Sequence, residues 1–206
     1  MTESQQFTTT EAAFVLQEPL RAVKKALDEG PVRPVLLRKA GAPVRAIGWK
    51  DLFYLFAVRN LRSELTPKAR LKLYEALQHT PVEHVREVRF GRLSVVLTDL
   101  VEEIERRTRR LSELAEKVEF RGEGEALLRG TSIEVYRIAA LLEGGMSADQ
   151  IKADYPSLSK EQILAAKAYA DAHPKPGRPY PRFTAKQAIR RAGLDALDEV
   201  LDDGST

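Results

Sequence analysis

Cysteine is absent from the 206 residues, tryptophan occurs once and methionine twice. Without a thiol there is no disulfide scaffold, no thiolate zinc site and no cysteine nucleophile. That usage fits a reducing, cytoplasmic setting. Histidine is scarce too: His79 and His84 stand near each other but no further ligand accompanies them, and His173 lies far along the chain. No metal or cofactor is expected. No apolar run approaches the roughly 18 residues of a membrane span, and the opening residues 1–14 carry neither a basic start nor an apolar core, so no signal peptide is expected. The GxSxG, Walker and GxGxxG patterns are missing. The adjacent carboxylates Glu102-Glu103 and Asp202-Asp203 do not converge on one helix face. No enzyme is expected.

What is present is charge, unevenly spread. The net charge of +3 hides a gradient. Residues 1–80 carry 13 Lys and Arg against 8 Asp and Glu, whereas residues 121–173 carry 6 against 8. A basic excess confined to one end of the chain points to a polyanionic partner for that end.

The elements read as mainly α with two short β-hairpins. Thr8-Thr9-Thr10-Glu11 opens a first helix ending near Gln17, and Pro19 opens a second that stops at Gly30. Strand-like runs at 34–38 and 44–47 flank a turn-rich loop, 39–43. Helices follow over 49–61, with Leu52, Phe53, Leu55, Phe56 and Val58 as core, and over 67–78, capped by Thr66. A second hairpin turns at Gly91-Arg92. A charged helix from Asp99 to about Lys117 carries a narrow apolar seam of Leu100, Ile104, Leu111 and Leu114. Residues 119–125, rich in glycine and charge, read as a boundary. Three helices then occupy 126–173, the first from Ile133 to Leu142 and the other two opened by capping boxes at Ser147 and Ser159. Pro and Gly fill the start of the last segment, and a helix over 184–202 closes it.

Helix, turn, helix and basic hairpin within residues 8–61 are what a winged helix–turn–helix needs. The second helix fits the major groove, and its cations reach bases and phosphates while the hairpin meets the flanking backbone. The candidate DNA-contacting residues are Thr9, Thr10, Arg21, Lys24, Lys25, Arg38, Lys39 and Arg45. The run from Phe7 to Leu16 resembles the opening of MerR- and excisionase-type winged helices. It departs at the turn, where Gln17-Glu18-Pro19 replaces a small glycine-bearing sequence, and at Ala26, near which those families often carry tryptophan.

A second resemblance covers about 45 residues. Leu128-Arg129-Gly130-Thr131-Ser132-Ile133-Glu134-Val135 is followed by Gly144-Gly145-Met146-Ser147, then by Asp154-Tyr155-Pro156-Ser157-Leu158 and Ile163 to Ala170. This series is similar to the VapB-type antitoxin family built on the domain of unknown function 433. Ser132 and Glu134 are departures, standing where that pattern carries Arg and Pro. The resemblance implies a three-helix, homeodomain-like fold, homodimerisation and pairing with a PIN-like ribonuclease toxin. In such pairs the tail wraps the toxin. Arg178, Tyr180, Arg182, Phe183, Ile189, Arg190, Arg191, Leu194, Leu197 and Leu201 are the tail residues this implies, with Tyr180 and Phe183 as anchors. Arg190 and Arg191 would meet the carboxylates of the toxin's metal site.

The expected organisation is thus a winged helix–turn–helix domain at 1–80, a hairpin and connecting helix at 81–120, a three-helix dimerisation domain at 121–173 and a toxin-binding extended tail at 174–206. The expected function is that of an antitoxin that inhibits its toxin and represses its own operon by binding operator DNA. The alternative is a stand-alone MerR-like transcriptional regulator with a ligand- or protein-sensing C-terminal half.

Overall fold

The computed structural model describes residues 5–39, 42–122, 125–175, 177, 180–183 and 188. The protein is mainly helical, with small antiparallel sheets. It divides into two compact units: residues 1–115 with 171–173, and residues 116–170 with 174–206. Among the described residues no helix is long and apolar enough to cross a membrane.

In the first unit, β1 (Gln6–Thr8) leads directly into α1 (Thr9–Leu16). Thr8 and Glu11 form a capping box: the Thr8 Oγ1 accepts from the Glu11 amide and the Glu11 carboxylate accepts from the Thr8 amide. Gln17 ends the helix with φ 55°, in the left-handed region. Pro19 then supplies the N-cap of α2 (Leu20–Glu29). Its apolar residues Val23 and Leu27 are buried, while Arg21, Lys24, Lys25 and Asp28 stay exposed on the other face.

β2 (Val35–Lys39) and β3 (Ala42–Gly48) follow, and β3 lies between β1 and β2. Lys39 pairs with Ala42, so the hairpin loop is two residues long, tighter than the five-residue loop expected at 39–43. Alanine and proline at 42–43 read as turn, yet Arg38↔Pro43 pairing continues the ladder. β3 gives way at Gly48 to α3 (Trp49–Asn60), whose Leu52, Phe53 and Phe56 are buried. Leu55 and Val58, expected in the core, are only half-buried. α4 (Pro67–His79) has Thr66 as N-cap. Asp51 ties α3 to α4, accepting from the Tyr74 hydroxyl at 3.1 Å and from Gln78 at 3.2 Å.

A 3-10 turn (Val82–His84) precedes β4 (Glu87–Phe90) and β5 (Leu93–Val96), which turn at Gly91 as expected. α5 (Thr98–Glu116) buries Val101, Ile104, Thr108, Leu111 and Leu114. Val101 rather than Leu100 opens the seam, and Thr108 fills the gap in it. The Thr108 hydroxyl is satisfied inside its own helix by the Glu105 carbonyl at 3.0 Å. Leu97, Val101, Ile104 and Leu111 join the same core as Phe7, Trp49 and Phe53. The first unit therefore runs on through the hairpin and most of the charged helix, beyond residue 80.

The second unit opens with a hairpin, β6 (Val118–Arg121) and β7 (Glu125–Leu128), where a boundary was expected. Phe120↔Ala126 and Val118↔Leu128 pair across it. Gly130, at φ 75°, turns the chain away from β7. α6 (Val135–Glu143), α7 (Ala148–Asp154) and α8 (Lys160–Ala172) follow. α6 starts two residues later than its sequence suggests. The Thr131 hydroxyl donates to the Leu128 carbonyl and accepts from the Ile133 amide, and Leu127 bridges to Glu134, so 131–134 are held out of the helix. Both capping boxes are present, Ser147 with Gln150 and Ser159 with Gln162. α7 stops before Tyr155-Pro156, as proline requires of the residue ahead of it. Val118, Leu128, Ile138, Leu141, Ile151, Leu158 and Ile163 form the core.

Candidate functional site

In the first unit the site is built on α1, α2 and the β2–β3 hairpin. The turn between the two helices is fixed from outside. Arg59 donates to the Leu16 carbonyl at 2.8 Å and pairs with Glu18 at 2.8 Å. Arg107 donates to the Val15 carbonyl at 3.2 Å while its guanidinium lies over the Phe56 ring at 5.0 Å. Two cations thus satisfy the last carbonyls of α1, where the helix dipole is negative. The Gln17-Glu18-Pro19 turn owes its shape to these arginines and to the left-handed Gln17. Nothing in the local sequence marks Arg59 or Arg107 for this work.

The expected DNA-contacting residues fall into two groups. Arg21 and Lys24 on α2 and Arg38 on β2 are exposed and have no ion pair or hydrogen bond among the described residues. The others are engaged within the protein. Lys25 pairs with Glu29 at 3.9 Å, Lys39 with Glu11 at 3.1 Å and Arg45 with Asp28 at 2.8 Å. Thr9 and Thr10 are half-buried in the first turn of α1, and the Thr10 hydroxyl meets that of Thr8 at 3.1 Å. The Arg45–Asp28 pair lays β3 against the polar face of α2, and Lys39–Glu11 joins the hairpin to the start of α1.

Glu11 is the residue the sequence reading used only as a helix-start signal. Its Oε1 also lies 3.2 Å from the His173 Nδ1. Burial alone pushes its carboxyl up, but the His173 and Thr8 hydrogen bonds and the Lys39 charge outweigh burial and hold it at about 2.

In the second unit the described part of the tail docks on α6. The Tyr180 hydroxyl donates to Glu134 and accepts from Lys175 at 2.9 Å, and Lys175 stands 4.0 Å over the Tyr180 ring. Arg137 donates to the Pro181 carbonyl at 3.2 Å and the Phe183 carbonyl at 3.4 Å. Arg182 pairs with Glu143 at 3.8 Å. Tyr180 is half-buried; Arg182 and Phe183 are exposed. Glu134, one of the two departures from the antitoxin pattern, is therefore the acceptor that seats Tyr180. Arg178, Ile189, Arg190, Arg191, Leu194, Leu197, Leu201 and, apart from residue 188, the expected helix at 184–202 lie outside the described residues.

The family model for a protein of unknown function (DUF433) matches residues 121–170. An uncharacterized protein, y4eO, of Sinorhizobium fredii (strain NBRC 101917 / NGR234) is 40% identical over 55 residues, which is 27% of this chain and 25% of that protein. The chain thus spans about a quarter of the length of that curated relative. The X-ray crystal structure of Rv2018 from Mycobacterium tuberculosis aligns over 78% of this chain and 95% of its own, at 15% identity and a TM-score of 0.30, too low to indicate a shared fold.

Proposed function

We propose that this protein is a DNA-binding antitoxin. In this reading the first unit is a winged helix–turn–helix, with α2 as the reading helix and β2–β3 as the wing. The second unit is a homeodomain-like body that dimerises, and the segment from residue 174 onward masks a PIN-like ribonuclease. The same DNA contact represses the operon.

The observation that carries the reading is the set Arg21, Lys24 and Arg38: three exposed cations on α2 and the hairpin, none of them paired with a carboxylate among the described residues. Unpaired cations on a helix that follows a tight turn suit phosphate contacts around a major groove. The test is titration of the full chain onto the duplex upstream of its gene over a range of salt. Binding that is tighter there than on an unrelated duplex, and that weakens as salt rises, supports the reading. Equal binding to both duplexes, or none, removes the operator.

A second reading, the stand-alone regulator, is favoured by one observation. Tyr180, Arg182 and the carbonyls of Pro181 and Phe183 already have partners on α6 or on its N-cap residue Glu134. The two readings separate on toxin neutralisation. A chain lacking residues 174–206 should no longer neutralise a co-expressed neighbouring nuclease; full neutralisation by the shortened chain would discard the tail's role.

A further inference from the structure

Between the last turn of α2, the middle of α3 and the first turns of α4 lies a cavity of about 320 Å³. Its walls are largely apolar. Leu55 and Val58 of α3 turn only partly into the core, and Leu71 of α4 is 48% exposed. That explains why two residues placed in the core from sequence are left half-buried: they form the lining.

Two polar groups converge there. Tyr54 is 4% exposed, yet its hydroxyl makes no hydrogen bond among the described residues, its ring being held edge-on by Tyr74 at 4.9 Å. Arg70 spends its Nε on the Leu65 carbonyl at 3.0 Å and its Nη2 on the Arg62 carbonyl at 2.9 Å, which leaves Nη1 without a bond among the described residues. Its positive charge acts on the Tyr54 hydroxyl, against the upward push of burial. A third polar side chain, Glu29, belongs to the rim: it is 68% exposed and pairs with Lys25.

We propose that this cavity binds a small monocarboxylic acid with an apolar body, its carboxylate taking the Tyr54 hydroxyl and the free Arg70 nitrogen and its hydrocarbon lying on Leu55, Val58 and Leu71. A hydroxyl and a guanidinium in the wall of an otherwise largely apolar groove are what orient such a ligand. Glu29 at the rim repels a second acidic group, so monoacids are preferred to diacids. Binding needs no DNA and no partner protein, so it stands or falls separately from the operator reading.

The experiment is a titration of the full chain, followed by amide chemical shifts, with benzoate and hexanoate as probes and with benzamide and phthalate as the neutral and diacid controls. Saturable shifts around Tyr54, Val58, Arg70 and Leu71 are expected with the two monoacids, and binding about tenfold weaker with both controls. Tyr54→Phe removes a single oxygen and should weaken benzoate about five- to tenfold. Leu71→Glu, at an exposed position, should abolish it by repulsion whether or not the Tyr54 variant folds. The proposal is overturned if benzoate gives no saturable shifts at these residues, if benzamide binds as well as benzoate, or if either variant binds benzoate as the native chain does.

Discussion

At the scale of single residues, Glu11 joins three parts of the first unit through one carboxylate. It caps α1, holds Lys39 of the hairpin and meets His173. Its pKa falls from the ordinary 4.5 to about 2, so the folded state binds this proton less readily than the unfolded chain. The stability it contributes is complete above the unfolded value and is lost as pH falls through the folded one. The side chain is 13% exposed, so solvent screens the contacts little. The native chain should lose about 2–3 kcal/mol of unfolding free energy from this group between roughly pH 5 and pH 2. Glu11→Gln should begin lower at pH 6 and lose correspondingly less on acidification. Urea titrations of both proteins at several pH values give the comparison, and parallel pH curves would rule this origin out.

Gln17 makes a second case at this scale. A non-glycine residue at φ 55° tolerates glycine there and resists a β-branched side chain. Gln17→Val should cost about 1–2 kcal/mol, while Gln17→Gly should cost nothing or stabilise slightly. Thermal unfolding of the two variants separates these outcomes.

Elements were legible in the sequence where the signal is local. Thr8, Thr66, Ser147 and Ser159 announce their helices because a cap is a contact between residues three apart. Gly91 announces its hairpin because a left-handed turn needs glycine. Signals failed where the contact is distant. Residues 119–125 look like a linker because Glu119, Arg121 and Glu125 are charged, but cross-strand pairing supplies the order that composition hides. The late start of α6 depends on Thr131 reaching back to Leu128. The candidate sites divide in the same way. The exposure of Arg21, Lys24 and Arg38 was readable from helical spacing and hairpin position, whereas the contacts of Arg59, Arg107 and Glu134 are with partners far along the chain.

Glycine at 144 shows what an element can demand of its neighbour. A side chain there would collide with the Arg182 backbone carbonyl, so the tail's approach to the end of α6 requires the missing Cβ. Gly144→Ala should therefore lift residues 180–183 away from α6 while leaving the apolar core of the second unit intact. Limited proteolysis should cut the variant faster in this segment at a nearly unchanged melting temperature. Equal cutting rates would show that the tail's seat does not depend on this close approach.

Across the whole molecule, charge is divided between cations spent on structure and cations left over. Arg59, Arg107, Arg137, Lys39 and Arg45 hold carbonyls or carboxylates of the protein itself. A net charge of +3 therefore understates how selectively the free charge is placed. If the first unit meets a duplex through Arg21, Lys24 and Arg38, each contact releases about one counterion from the DNA, and the logarithm of the affinity falls with the logarithm of salt by about 0.9 per contact. Replacing all three by alanine should flatten that slope by up to about three and weaken binding most at low salt. Replacing Lys25 and Arg45 should change the slope less, because a cation already paired must first give up Glu29 or Asp28. The three side chains are exposed, so the triple variant should unfold close to the native temperature. Filter-binding at four salt concentrations measures both slopes. A triple variant with the native slope would place the nucleic-acid contact, if any, on another face of the protein.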